Sequence, residues 1–345
     1  MDKYWWKILA ALLVLGSLVF GLRAPLAPGV PKVSPTKINN GVTSVTITGY
    51  NTHFTENPDA IKVWLTNGEA TFCPFEMAVV NNTTMRVTFS ITQKIADSFF
   101  DLYVNTPADG TMYLPSALMQ NGLEVALNPD VVENCVTHLS PVVNAFNYPN
   151  QPILNETIRN IFYHVPTWFA MMFIMFISLV YSIKNLSSGS LKHDQAAHSA
   201  AHVGLLFACI GLGTGSVWAR FTWGAWWVSD PRLNGAAVAV LIYLAYFVLK
   251  SSINDKEKAA RLGAVYNIFA FMMMIVFVMV LPRMTDSLHP GVGGNPAFSQ
   301  YDLDDNMRMI FYPAVIGWIG ISLWVFEIKN RMERLKYNYL MNEEV

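Results

Sequence analysis

Charge is low in this sequence for a chain of its length. Only 14% of its 345 residues are Asp, Glu, Lys or Arg, while 53% are hydrophobic. A soluble domain carries roughly 25% charged residues. The net charge of −1 gives no reason to expect nucleic acid as a partner. Cysteine is scarce as well: there are three, and no C-x-x-C pair, so a thiol–disulfide exchange motif is excluded. There is no P-loop, no G-x-G-x-x-G turn before a helix, no G-x-S-x-G elbow and no H-E-x-x-H. ATPase, Rossmann and serine-hydrolase chemistry is therefore unsupported.

Long apolar runs are abundant. Six stretches, near 5–22, 163–183, 199–217, 234–249, 262–281 and 309–327, are apolar enough to span a bilayer, which takes about 20 residues each. Lysine and arginine cluster at alternate ends: Lys3 and Lys7; Lys184 and Lys192; Lys250, Lys256, Lys258 and Arg261; then Lys329, Arg331, Arg334 and Lys336. Such clusters mark the cytoplasmic side. Both termini are then cytoplasmic, with residues 331–345 as a tail. The opposite side carries Arg23, Arg159, Arg220, Arg232, Arg283 and Arg308 singly. The first span reads as an anchor (1–23) or as a cleaved signal peptide. Its apolar run is longer than a usual signal core and no clear small-x-small cleavage site follows, which favours the anchor.

Residues 24–155 have a different texture. Pro25, Pro28, Pro31 and Pro35 suggest a stiff entry linker. Short alternating runs follow at 42–48, 61–65, 85–91 and 102–104, separated by the turn signals Asn39-Asn-Gly41, Asn81-Asn82 and Asp109-Gly110. Period-two alternation between such turns predicts an immunoglobulin-like β-sandwich on the outer side. Residues 35–41 and 45–54 resemble the opening of IPT/TIG domains. Cys73 and Cys135 both fall in this region, where pairing and free thiols are both open. The fold class expected is a polytopic α-helical membrane protein, a six-helix bundle with this all-β domain inserted after the first span.

One segment stands apart: Trp218-Ala-Arg-Phe-Thr-Trp-Gly-Ala-Trp-Trp-Val-Ser-Asp230, followed by Pro231 and Arg232. It reads as a loop between two spans, and four tryptophans are foreign to ordinary loops. Interfacial anchoring explains one or two of them; four suit a large, flat, apolar ligand. His164 opens the second span, and His289 follows the fifth, so both reach the same outer face. Two neutral imidazoles can take both axial positions of a haem iron. Trp218, Trp223, Trp226 and Trp227 would edge the porphyrin. Arg220, Arg232, Arg283 and Arg308 would face the propionates, and Asp230 would fix Arg232 or an indole N–H. His198 and His202 share a helix face on the inner side, but nothing completes a metal set, and a polar helix entrance is the plainer reading. The span methionines, Met272, Met273 and Met274 among them, and Cys209 read as packing.

At this point the residues resemble a known family. Residues 214–220 and 223–233, with the "WWD"-like run Trp226-Trp-Val-Ser-Asp230, are joined by Phe162-Tyr-His-Val-Pro-Thr-Trp168 and Leu288-His-Pro290. Together they look like CcmC-type haem-handling proteins of cytochrome c maturation, over about 155–330. The resemblance implies a membrane domain at 156–330 that holds haem b non-covalently, in transit, between His164 and His289. Trp223, Gly224, Trp226, Trp227 and Asp230 would form the platform. It implies transfer to a CcmE-type haem chaperone in the periplasm, and an ABC-type maturation complex as partner, in the bacterial inner membrane with its lipid. Two features depart from the pattern: Ser229 stands where a further tryptophan is usual, and Pro231 follows the aspartate as in CcsA-type synthetases. The competing readings are a CcsA- or CcmF-type synthetase, a haem transporter and a receptor anchored by the bundle. The inserted domain has no counterpart in the family core, and serves as a docking site or a spacer.

Overall fold

A computed structural model describes residues 4–343 except 40, 69, 92–98, 122–135, 137–138, 141–145, 152–153 and 290–302. Cys135, His138 and Pro290 lie outside the described residues. The chain divides into two compact units, one of Met1–Arg23 with Arg159–Val345 and one of Ala24–Ile158.

The first unit holds six helices long and apolar enough to cross a membrane. They are α1 (Trp5–Arg23), α2 (His164–Ser188), α3 (Leu191–Trp223), α4 (Pro231–Ser251), α5 (Lys256–Ile275) and α7 (Asp305–Glu343). A π-helical turn (Val276–Val280) continues α5 into the short α6 (Leu281–Met284). Local chemistry sets the ends. Gly189, at φ +65°, closes α2 in the left-handed cap that glycine adopts without strain. The Asp255 carboxylate caps α5 by accepting from the Glu257 and Lys258 N–H groups.

Small residues let these helices approach closely. A Cβ on Gly320 of α7 would lie 2.6 Å from Ala10 Cβ of α1, and one on Gly21 would lie 2.8 Å from Phe162 Cδ2. Lys7 and Glu327 join α1 to α7 at 2.6 Å. Inside the bundle, Asn267 of α5 donates to Ser178 and Ser182 of α2, both at 2.7 Å, and Ser178 donates to the Ala197 carbonyl of α3. Met171, Met175 and Met274 lie in the apolar core, in keeping with a packing role. Cys209 is a free, exposed thiol on the outer surface of α3, so it does not pack in the interior as expected.

The second unit is two β-sheets around one apolar core. The four-stranded sheet runs β1 (Gly29–Ser34), β3 (Gly41–Tyr50), β7 (Thr84–Ile91), β6 (Pro74–Asn81). The five-stranded sheet runs β2 (Lys37–Asn39), β9 (Gly110–Asn121), β8 (Phe99–Thr106), β4 (Lys62–Thr66), β5 (Thr71–Phe72), with β2 and β9 parallel. Alternate residues such as Val45 and Ile47 of β3, and Val63 and Leu65 of β4, point inward. The proline linker needs correcting: β1 occupies Gly29–Ser34 and pairs with β3. It is an edge strand, where Pro31 costs no ladder hydrogen bond. Cys73 is disulfide-bonded.

Candidate functional site

The tryptophan segment is not all loop. Helix α3 continues through Trp218 to Trp223 and stops at Gly224, whose φ is +79° and whose N–H donates to the Arg220 carbonyl. No residue from Trp218 to Trp223 can take that left-handed turn cheaply, so the helix overruns the apolar stretch. The Arg220 guanidinium also donates to the Gly224 carbonyl, which braces the cap. Trp226 and Trp227 lie in the true loop and are 58% and 43% exposed. Ser216 donates to the Trp226 carbonyl, and the Trp227 indole N–H to Asn234 Oδ1 at 3.2 Å.

Asp230 ends that loop and is 1% exposed. Its Oδ1 accepts the Arg232 N–H at 2.9 Å, capping α4, and faces His289 Nδ1 at 3.1 Å. Its Oδ2 accepts from the Ser287 hydroxyl and the Leu288 N–H, both at 2.8 Å. One carboxylate therefore starts a helix and ties down three consecutive residues ending in His289. Asp230 thus fixes Arg232 through its backbone, and none of its described partners is an indole. Burial pushes the Asp230 carboxyl up, but these hydrogen bonds and the His289 imidazole outweigh burial and hold it below its usual range. It is an anion at neutral pH.

His289 lies against two indoles, with ring centroids 5.5 Å from Trp218 and 5.1 Å from Trp223. Trp218 and Trp223 meet edge to face at 4.7 Å. These two tryptophans wall the histidine, while Trp226 and Trp227 remain on the surface. Burial drives the His289 pKa down to about 4; the Asp230 carboxylate pulls it up and the Arg232 charge pushes it down. The ring is neutral at pH 7. Arg232 is near enough to act on it, whereas Arg308 is paired with Asp305 at 3.1 Å and Arg283 is exposed at the end of α6.

His164 comes from the first residue of α2, and its Nδ1 is 2.9 Å from Thr214 Oγ1 on α3. Glycines make the room. A Cβ on Gly215 would lie 2.7 Å from His164 Cε1, and one on Gly211 would lie 2.7 Å from the Trp168 indole. His164 and His289 lie within electrostatic reach of one another. Elsewhere, Gly235 of α4 leaves space for the π turn: a Cβ there would lie 2.3 Å from the Phe277 carbonyl oxygen. The π turn and Pro282 lead directly into the segment that carries His289.

The hydrogen-bond pattern assigns the protons on both rings. The Thr214 hydroxyl sits 2.9 Å from the Ile210 carbonyl, to which its single proton is donated. It must then accept from His164, so Nδ1 carries the hydrogen. The Asp230 carboxylate can only accept, so His289 Nδ1 carries one too. Each ring is left with its lone pair on Nε2, and the His164 ring also bonds the Gly211 backbone carbonyl. This is the tautomer that an imidazole needs to ligate a metal through Nε2. Thr214, Gly215 and Ser287 had no role in the sequence reading. The run Gly211-Leu-Gly-Thr-Gly215 was the available signal, a small-residue face one turn before Trp218.

A six-span bundle that orients two imidazoles and a tryptophan cluster at one end defines a ligand-handling membrane protein. The sequence model of the family described as heme exporter protein C matches residues 117–342, and this chain belongs to that family. The heme exporter protein C of Paracoccus denitrificans is 31% identical over 192 residues, 56% of this chain and 79% of that protein. That of Rhodobacter capsulatus is 30% identical over 200 residues, 57% of this chain and 81% of that protein. The protein of the same name from Bradyrhizobium diazoefficiens is 35% identical over 109 residues, 32% of this chain and 41% of that protein, so this match spans less than half of its length.

Proposed function

We propose that this chain binds haem between His164 and His289 at the outer face of the bacterial inner membrane. It then passes the haem to a CcmE-type chaperone during c-type cytochrome assembly, working with the ABC-type subunits of the maturation system. The observation that carries this reading is the pair of imidazoles from separate elements, each tethered at Nδ1 by a side chain. Haem b is the cargo, held without a covalent bond. Trp226 and Trp227 offer an apolar edge to the porphyrin, and Trp218 and Trp223 hold the His289 ring in place. Arg232 is the best-placed partner for a propionate. The lysine clusters support cytoplasmic termini, which puts residues 24–155 in the periplasm.

Co-expression with a CcmE-type chaperone tests the delivery step. Wild-type protein should leave haem on the chaperone that survives denaturing electrophoresis, and His164→Ala with His289→Ala should leave none. Equal loading of the chaperone with and without this chain would refute delivery.

A further inference from the structure

The two histidines are held by different chemistry. His289 Nδ1 faces a buried carboxylate at 3.1 Å, and that carboxylate also anchors Ser287 and Leu288. Two indoles pack on its ring at 5.1 and 5.5 Å. His164 has only neutral partners: its Nδ1 faces the Thr214 hydroxyl at 2.9 Å, and the ring also bonds the Gly211 backbone carbonyl. One indole, Trp168, stands by it at 6.3 Å. A carboxylate partner makes an imidazole a stronger electron donor to a metal than a hydroxyl partner does, because it stabilises positive charge building on the ring. We infer that His289 is the retaining ligand and His164 the exchangeable one, so the receiving carrier replaces His164 first.

This rests on the reading that both histidines hold haem. The step is a ligand exchange. The bond between iron and His164 Nε2 breaks, and its electron pair stays on the imidazole, which keeps its Nδ1 hydrogen on Thr214. A neutral nitrogen donor of the carrier supplies the new pair. Iron keeps its oxidation state and no proton moves. His289 holds the other axial position throughout, so the haem is never without a ligand. Thr214 then acts as a positioning residue: it aims His164 Nε2 without adding the donor strength that Asp230 adds to His289.

The test uses the intact, haem-loaded protein in detergent. In the first arm, haem loss to excess apomyoglobin is timed for His164→Ala and His289→Ala. His164→Ala should keep its haem with a high-spin spectrum that added imidazole returns to low spin. His289→Ala should lose haem at least about tenfold faster than His164→Ala, in line with the usual cost of changing a ligand or its partner. The second arm needs neither histidine changed. Carbon monoxide binds ferrous haem only after an axial ligand leaves. Thr214→Val should therefore bind it about tenfold faster than wild type, with Thr214→Ser at the wild-type rate. Equal or reversed rates of haem loss, or an unchanged carbon monoxide rate in Thr214→Val, would overturn the assignment while leaving haem binding intact. A wild-type protein with no haem at all would instead overturn the proposed function, and this inference with it.

Discussion

His198 and His202 stand four residues apart near the start of α3, and His164 meets the same helix at Thr214, well toward its other end. In the first pair the rings touch edge to face, with centroids 4.4 Å apart. Phe247 packs on both, at 5.4 and 4.3 Å, and His202 Nδ1 bonds the His198 carbonyl at 3.1 Å. Lys250, paired with Asp194 at 2.5 Å, lies close enough to act on both rings. Among the described residues, no group of three or more His, Cys, Asp or Glu is arranged to hold a metal. That pair is filled by its own helix and a phenyl ring. The pair of His164 and His289 comes from two elements, and each ring is tethered at Nδ1 by a side chain from another, Thr214 of α3 for one and Asp230 at the start of α4 for the other. Closeness in sequence does not make histidines into ligands. What differs is the setting: the inner rings pack on one another and on Phe247, whereas the outer two are braced by side chains of other elements.

The sharpest way to break the contrast is Asp230→Ala. It removes a helix cap and three other hydrogen bonds to a buried anion. The expected cost is about 3–5 kcal/mol, seen as a lower unfolding midpoint in detergent together with loss of bound haem. Gly215→Ala comes next. The new methyl would meet His164 Cε1 at 2.7 Å, costing about 1–3 kcal/mol and weakening haem binding while circular dichroism reports the same helix content.

A pH series separates the membrane site from the β unit by sign. His289 has its pKa depressed to about 4 by burial. Its contribution to stability is complete above the unfolded value of 6.5 and declines as pH falls toward 4, because only the unfolded ring takes up a proton in that window. His53 has its pKa raised, chiefly by the hydrogen bond to Asp109 at 2.8 Å. Its smaller contribution is complete below 6.5 and is lost as pH rises through the raised value. Denaturant midpoints of His53→Ala and wild type should therefore differ more at pH 6 than at pH 9. The smallest effect is expected from His198→Ala with His202→Ala, which should leave the haem spectrum unchanged; a shifted Soret band there would erase the contrast between the pairs.

Much of this is legible in the sequence alone. Unbroken apolar runs announced the six helices, and strict alternation announced β3, β4, β7 and β8. His164 and His289 were visible because both sit beside a span end on the same side. Other features depended on partners far away in sequence. β1 was hidden by Pro31, which is harmless only because the strand lies at an edge. Hydropathy ended the third span near residue 217, but α3 runs on to Trp223 because no glycine or proline lies between Val217 and Gly224. The charged stretch after residue 330 is helical to Glu343, since Lys, Arg, Glu, Leu and Met favour helix regardless of hydropathy. Thr214 and Gly215 looked like ordinary small helix residues until His164 came to rest against them. Asp230 was singled out, but its bonds to Ser287, Leu288 and His289 join positions nearly sixty residues away.

The most direct measurement is the visible absorption spectrum of the detergent-purified protein, expressed with ample haem, beside the His164→Ala, His289→Ala double variant. A stoichiometric Soret band with low-spin bis-histidine features, lost or converted in the double variant, is the predicted result. A wild type without a stoichiometric Soret band, or a haem spectrum indifferent to both substitutions, would contradict the account.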